Sequence, residues 1–383
     1  MMADFIPLSV PNFGGNERQY VNDAVVSEWV STGGSMVGVF EEKIAEYAGA
    51  GAAVACASGT AGLHLAMLVA GVQPGDEVIA PALTFIAAVN PIRYAFAEPV
   101  FIGCDDTLCL DPAAVEDFCA TRCELREGVL HNKTTGRPVR AIEVVHVFGN
   151  LAYMDEICAT AKRYNLAVIE DATEAVGSRW LAGAFAGKMA GTAGDVGVYS
   201  YNGNKIITTG SGGTLVSRHP AWAKRAKHLS TQAKASVDDY VHDEVGYNYR
   251  MTNLQAALGL AQLEQLEGFV ARKAELYELY RTHLDGKAGL RILPFREDTR
   301  PNRWFFSLYL TDDYPLDRDA LIQKLKADNI QTRGIWGLIN EQKPYLQNET
   351  HALGKAEDYR TRVVNLPCST NLSDADAKRV CDA

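Results

Sequence analysis

The sequence predicts an α/β fold: a mostly parallel central sheet flanked by helices, followed by a smaller C-terminal α+β unit. Three observations carry this. Short apolar runs alternate with amphipathic stretches from about residue 52 to residue 170. Those runs are continuously apolar, as strands buried on both faces must be. The alternation ends in a long helical pattern reaching about His283, beyond which about 100 residues of different texture follow. With 383 residues, 47% of them apolar, the chain can fill two domains. We expect a large domain over 1–265, including the N-terminal segment, and a small one over 266–383.

The elements follow in order. Phe5 to Asn12 is extended, and helices are expected over Asn16–Val30 and Val37–Tyr47, the second with Phe40, Ile44 and Tyr47 on one face. The alternation then gives strand Ala52–Ala57, helix Gly59–Ala70, strand Glu77–Ala80 after a Gln-Pro-Gly-Asp turn, helix Phe85–Ala95 and strand Pro99–Ile102. Helix Pro112–Cys123, strand Ala141–Val147, helix Met154–Tyr164 and strand Ala167–Glu170 complete it. Val196–Tyr201 and Gly213–Val216 read as adjacent strands joined by a polar, Gly-rich functional loop. A single helix is expected from Thr252 to about His283, with Leu254, Ala257, Leu258, Ala261, Leu263 and Leu266 at helical spacing. The small unit offers strand Trp304–Leu310, helix Asp317–Ala327, strand Ile330–Arg333 and a last helix from Asp374.

Composition excludes several classes. The net charge is −10 and the basic residues are scattered, so no nucleic-acid footprint is present. The eight cysteines form no CxxC pair, which fits reduced thiols in the cytoplasm. No apolar run reaches 18 residues and no basic stretch leads into an apolar one at the start, so neither a membrane span nor a secretory signal is expected.

Ligands in open α/β sheets bind beyond the carboxyl ends of the strands, and three features lie there. Ala57-Ser58-Gly59-Thr60 follows a strand and opens a helix. Its free N–H groups, the helix dipole and the Thr60 hydroxyl suit a phosphate, although Ser58 or Thr60 as a plain helix cap is the other reading. The absence of GxGxxG and GxxxxGK[ST] argues against a dinucleotide or a triphosphate and favours a phosphate monoester. Val168-Ile169-Glu170-Asp171-Ala172-Thr173-Glu174 is an apolar strand ending in carboxylates. No further ligand lies at metal spacing, so no metal is expected there; a carboxylate paired with a cationic heterocycle and a solvated strand end both remain open. Lys205, alone between apolar strands, is either a solvated lysine or an amine whose pKa burial lowers for nucleophilic work.

A phosphate cradle, a carboxylate and an isolated lysine, all at sheet ends, are together what pyridoxal 5′-phosphate needs. The phosphate anchors the cofactor, the carboxylate keeps the pyridine nitrogen protonated, and the lysine bonds to it.

Over nearly its whole length, from Ile6-Pro7-Leu8 to Leu366-Pro367, the chain resembles the DegT-type nucleotide-sugar aminotransferases of the aspartate aminotransferase fold type I. The resemblance rests on Ala57-Ser58-Gly59-Thr60, Thr84-Phe85-Ile86-Ala87, Ile169-Glu170-Asp171-Ala172, Asn202-Gly203-Asn204-Lys205-Ile206-Ile207-Thr208-Thr209-Gly210 and Gly246-Tyr247-Asn248-Tyr249-Arg250-Met251-Thr252-Asn253. It implies Lys205 as Schiff-base lysine and proton carrier and Asp171 as partner of the pyridinium. It further implies Ser58, Gly59, Thr60 and Ser200 around the phosphate, Phe85 on the ring face and Glu174 at the phenolic oxygen. Asn248 would reach the phosphate of a neighbouring subunit, which makes a homodimer with shared active sites the catalytic unit.

The wording around Lys205, with Pro7-Leu8-Ser9-Val10-Pro11 and Ser230-Thr231-Gln232-Ala233-Lys234, is similar to aminotransferases acting at C4 of nucleotide-linked 4-keto-6-deoxy sugars in bacillosamine, legionaminate and perosamine pathways. The implied substrates are L-glutamate, giving 2-oxoglutarate, and a UDP- or GDP-linked keto sugar, with a 2-acetamido group expected, for cell-surface polysaccharide or glycan synthesis. Trp29, Ser31, Thr32, Asn204 and Arg250 are the expected sugar-nucleotide contacts. A keto sugar aminated at C3, a cyclitol and a non-catalytic module of the same fold are the alternatives; Lys205 argues against a sugar dehydratase, in which His replaces it. The chain departs from the pattern after Thr332-Arg333, where Gly334-Ile335-Trp336-Gly337-Leu338 stands in place of the Trp-His-Pro-Leu-His that relatives often carry.

Overall fold

The computed structural model describes residues 4–236 and 238–383. Its main sheet runs, in spatial order, Ala53–Cys56, Gly213–Ser217, Val196–Ser200, Ala167–Asp171, Pro138–Val145, Glu77–Pro81, Glu98–Ile102 and Thr350–His351. From Val196–Ser200 outward every pairing in this order is parallel; Gly213–Ser217 runs antiparallel to its two neighbours, and off this path Val129–Asn132 pairs antiparallel with Pro138–Val145. The fold is therefore α/β with a mixed but mostly parallel sheet. Glu77–Pro81, Val196–Ser200 and Gly213–Ser217 are buried at every position, because helices cover both faces.

Register sets up the site. Cys56 pairs with Gly213, and Gly213 pairs with Ser200 on its other side. The turn after Cys56 is thus brought beside Ser200. A Cβ at position 213 would lie 2.7 Å from the Gly59 nitrogen, so only glycine lets the helix Gly59–Val69 start against this strand. The pairings Val145 with Asp171 and Asp171 with Val198 align the neighbouring strand ends along the same edge.

A second, antiparallel sheet has the order Leu290–Ile292, Phe306–Leu310, Val363–Leu366, Arg333–Gly334, with helices Arg318–Ala327, Gly354–Arg362 and Asp374–Asp382 around it. Asp317 caps the first of these through Ala320 N–H at 2.8 Å.

Several expectations need correction. The single helix from Thr252 is two, Asn253–Leu263 and Leu266–Leu284. The buried Glu17 carboxylate accepts the side-chain amides of both Gln262 and Gln265, and the Gln265 amide also donates to Ala261 O at 3.2 Å, so the junction is held in a break. The first helix is Glu17–Val26 rather than Asn16–Val30. The pattern Pro112–Cys123 is α-helical only to Asp117, then a wider turn over Phe118–Arg122. The strand expected from Trp304 begins at Phe306, because the Trp304 N–H turns away to Phe148 O at 2.9 Å. Of Ile330–Arg333 only Arg333 joins the sheet, while Ile330 bridges to Ile6. Helix Pro220–Ser230, helix Gly354–Arg362 and the hairpin Cys123–Arg126/Val129–Asn132 were not anticipated. All eight cysteines are unpaired. Among the described residues no helix is long and apolar enough to cross a membrane.

Candidate active site

The helix Gly59–Val69 opens on extended Ser58, whose Oγ accepts the Ala61 N–H at 3.0 Å. Gly59 and Thr60 then present N–H groups that have no acceptor within the helix. A Cβ on Gly59 would meet Ser200 Cβ at 2.8 Å and Thr173 Cγ2 at 3.1 Å, so the backbone lies directly against the end of strand Val196–Ser200. Ser200 Oγ accepts Asn202 N–H at 3.3 Å and closes the same corner. Together these groups make an anion cradle at a helix N-terminus. Ser58 serves as the cap, and the free donors come from its two successors.

Asp171, the last residue of its strand, is buried, and its Oδ1 accepts the Thr173 N–H at 2.9 Å. Burial pushes its carboxyl above the usual range, opposed by Thr173 and by the charge of Lys205. Glu174 is also buried; its Oε2 accepts the Phe148 N–H at 2.8 Å and its Oε1 lies 3.6 Å from Lys205 Nζ. Burial raises Glu174 to about 7 against the pull of Lys205.

Lys205 sits on a loop that folds onto itself: Tyr201 N–H donates to Gly212 O, Gly203 N–H to Gly210 O, Lys205 N–H to Asn202 O and Thr209 N–H to Tyr201 O, all within 2.9–3.1 Å. Gly210 has φ 79°, a conformation that glycine supplies without strain. The Lys205 side chain is 13% exposed. Burial draws its pKa below that of an ordinary lysine, and Glu174 and Asp171 partly restore it. An amine of lowered pKa next to carboxylates can both attack a carbonyl and carry a proton.

One cleft of about 520 Å³ collects Ser58, Gly59, Thr60, Phe85, Asp171, Glu174, Ser200, Asn204 and Lys205. Phe85 stands 53% exposed at its wall. The same cleft includes residues that sequence reasoning left out: Thr84, Thr173, Phe148, Trp304 and, from the small sheet and its flank, Arg333 and Trp336. Trp304 lay inside an apolar run that reads as an ordinary strand. Phe148 has φ 55°, and its ring packs at a tilt of 39° against Trp336, with centroids 4.7 Å apart.

Five expected contacts lie outside this lining. Trp29 is 61% exposed, and its carbonyl accepts the Asn253 side-chain amide at 2.6 Å. Ser31 O accepts the Asn253 N–H at 2.7 Å, and Thr32 follows in the same loop. Asn248 bridges to Thr231, and Arg250 bridges to Cys56, one residue before the cradle turn begins. His228, Asp243 and Glu244 approach one another far along the chain, but Arg225 already holds Glu244.

The donor set fits pyridoxal 5′-phosphate. Its phosphate matches the free N–H groups beside Ser200, its ring matches a slot between Phe85 and the strand ends, and its basic nitrogen matches a buried carboxylate that Thr173 leaves open on one oxygen.

Comparison with known proteins agrees. The family model described as the DegT/DnrJ/EryC1/StrS aminotransferase family matches residues 11–383. EpsN of Bacillus subtilis (strain 168), assigned as a pyridoxal phosphate-dependent aminotransferase, is 36% identical over 98% of this chain and 94% of its own. GDP-perosamine synthase of Escherichia coli O157:H7 is 36% identical over 99% of this chain and 97% of its own. The solved aminotransferase TlmJ from Streptoalloteichus hindustanus superposes with a TM-score of 0.87 at 29% identity, covering 98% of this chain and 97% of its own. The chain belongs to the DegT/DnrJ/EryC1/StrS aminotransferase family and is a transaminase that works with pyridoxal 5′-phosphate.

Proposed function

We propose that this enzyme moves the amino group of L-glutamate to C4 of a nucleotide-linked 4-keto-6-deoxy sugar, in the synthesis of a cell-surface polysaccharide or glycan. The observation that carries the reading is the meeting of Lys205, Asp171 and Glu174 with the Ser58–Thr60 cradle in one cleft. The similarity to GDP-perosamine synthase supports a sugar nucleotide, and of the two nucleotides it favours guanosine.

When bound, pyridoxal 5′-phosphate supplies an electron sink for the reacting carbon. The chain supplies the rest. Gly59 and Thr60 N–H groups and the Ser200 hydroxyl hold the phosphate, with Ser58 fixing the helix start. Asp171, ionised once it faces a cationic ring nitrogen, keeps a proton on that nitrogen. Phe85, at the cleft wall, would lie against the ring and favour its planar form. Glu174 donates to or accepts from the phenolic oxygen according to its charge. Lys205 Nζ removes a proton at one carbon and returns it at another. Asn204 contacts the sugar nucleotide from within the cleft. Trp29, Ser31, Thr32 and Arg250 contact it as well, and Asn248 reaches the phosphate of the neighbouring subunit in a cytoplasmic homodimer.

A product assay decides. The enzyme is given L-glutamate with GDP-linked or UDP-linked 4-keto-6-deoxy sugars, the latter with and without a 2-acetamido group. Formation of 2-oxoglutarate with a 4-amino product on the GDP sugar is expected. Turnover only on a 3-keto sugar or a cyclitol, or none on any sugar, overturns the reading.

A further inference from the structure

Lys205 has a neighbour to which no role has been given. Its Nζ lies 3.7 Å from the centroid of the Trp304 ring, well inside the reach of about 6 Å for a cation over an aromatic face. That ring is fixed through every polar atom of its residue. The indole Nε1–H donates to Asn204 O at 2.8 Å, on the residue next to Lys205. The backbone N–H donates to Asn302 Oδ1 at 3.0 Å and to Phe148 O at 2.9 Å. The carbonyl accepts from the buried Lys273 ammonium at 2.8 Å and from the Cys368 thiol at 3.3 Å. Phe305 packs against the ring at 4.3 Å, and Trp304 is 5% exposed. A side chain held this fully keeps its face toward the amine.

We propose that Trp304 is a further catalytic residue: its indole face receives Lys205 Nζ in the protonated state whenever the amine is free, and steadies it until the proton is delivered. This rests on the reading of Lys205 as the reacting amine. The charged groups acting on Nζ are Glu174 at 3.6 Å and Asp171 at the neighbouring strand end; Arg333 lines the small-sheet side of the same cleft. Burial opposes the ammonium form, whereas Glu174, Asp171 and the ring favour it.

Two opposite effects follow from removing the ring. The neutral amine attacks the aldehyde carbon of pyridoxal 5′-phosphate; an N–C bond forms, the aldehyde oxygen leaves as water with two protons from the nitrogen, and no oxidant is involved. A larger neutral fraction makes this capture faster. Delivery of a proton in the amino-donor half-reaction uses the ammonium form, and it slows. A merely structural loosening slows both.

The test uses the full chain freed of cofactor and mixed with pyridoxal 5′-phosphate below neutral pH, with capture followed by absorbance. The half-reaction is followed in single turnover with L-glutamate. For Trp304→Leu we expect capture about three- to tenfold faster, its pH profile moved to lower pH, and the half-reaction slower by at least the same factor. Trp304→Phe, which keeps a ring and folds under milder change, falls between Leu and wild type. Both rates falling together, or neither changing, overturns the proposal. Lys205→Ala separates the two readings. Borohydride-stable capture by that variant strikes the role of Lys205 itself, whereas no capture there with parallel rates in the Trp304 variants strikes only the role of Trp304.

Discussion

His146 Nε2 lies 2.8 Å from Glu170 Oε2, and both side chains are fully buried. His146 Nδ1 accepts the Ala152 N–H at 3.3 Å, so Nε2 carries the hydrogen given to Glu170. Glu170 also accepts the N–H groups of Gly191 at 2.8 Å, Ala193 at 2.7 Å and Gly194. By strand alternation it faces away from Asp171, so its work is to fix the strand end from behind. Glu170→Ala orphans several buried donors at about 1–3 kcal/mol each, so it is expected to cost about 3–5 kcal/mol of stability, as read from urea unfolding. A cost below 1 kcal/mol would refute the anchor.

Lys205→Ala should lower turnover by about a thousandfold or more, since both attack and proton transfer are lost. Asp171→Asn keeps shape but not charge. It should retain the cofactor through equilibrium dialysis while turnover falls by about a hundredfold or more. Near-normal rates in either variant would remove that residue from the chemistry.

Glu174 gives a pH signature. Burial lifts its carboxyl from 4.5 to about 7, so over that interval the folded chain holds a proton that the unfolded chain has released. Stability therefore falls as pH rises from about 4.5 to 7. In the cofactor-free enzyme, the decline of Tm across this window should be shallower in Glu174→Gln than in wild type. Parallel curves would show that Glu174 does not titrate there.

Gly59→Ala tests the cradle. Its methyl would meet Ser200 Cβ at 2.8 Å, and overpacking of this kind costs about 1–3 kcal/mol. Because the same shift moves two phosphate donors, the Kd for pyridoxal 5′-phosphate should rise at least about tenfold while the Tm falls. An unchanged Kd would place the phosphate elsewhere.

The parts of this site that sequence made legible share one trait: each is local. Ser58 to Thr60, Asp171 and Lys205 all stand just after short apolar runs, and the run itself marks the position. What joins them is pairing between distant segments. The row Cys56, Gly213, Ser200 sets the cradle against its wall, and nothing near Cys56 announces Gly213. The helix break after Leu263 has the same origin, since the carboxylate that holds it is Glu17, far back in the chain. Trp304 escaped notice for another reason. Its apolar neighbours continue a strand pattern, and only the diversion of its N–H to Phe148 and Asn302 lifts it out of the sheet and over Lys205.

The loop from Tyr201 to Gly212 springs from two neighbouring strands and is laced shut by its own amides. Its feet are paired within the sheet. On the proposed chemistry, the amine at Lys205 would work as an arm on a pivot held by the sheet, with the range of its own four methylenes. The proposed bonding and release at Nζ would then need no hinge, and the surrounding scaffold would not have to move with it.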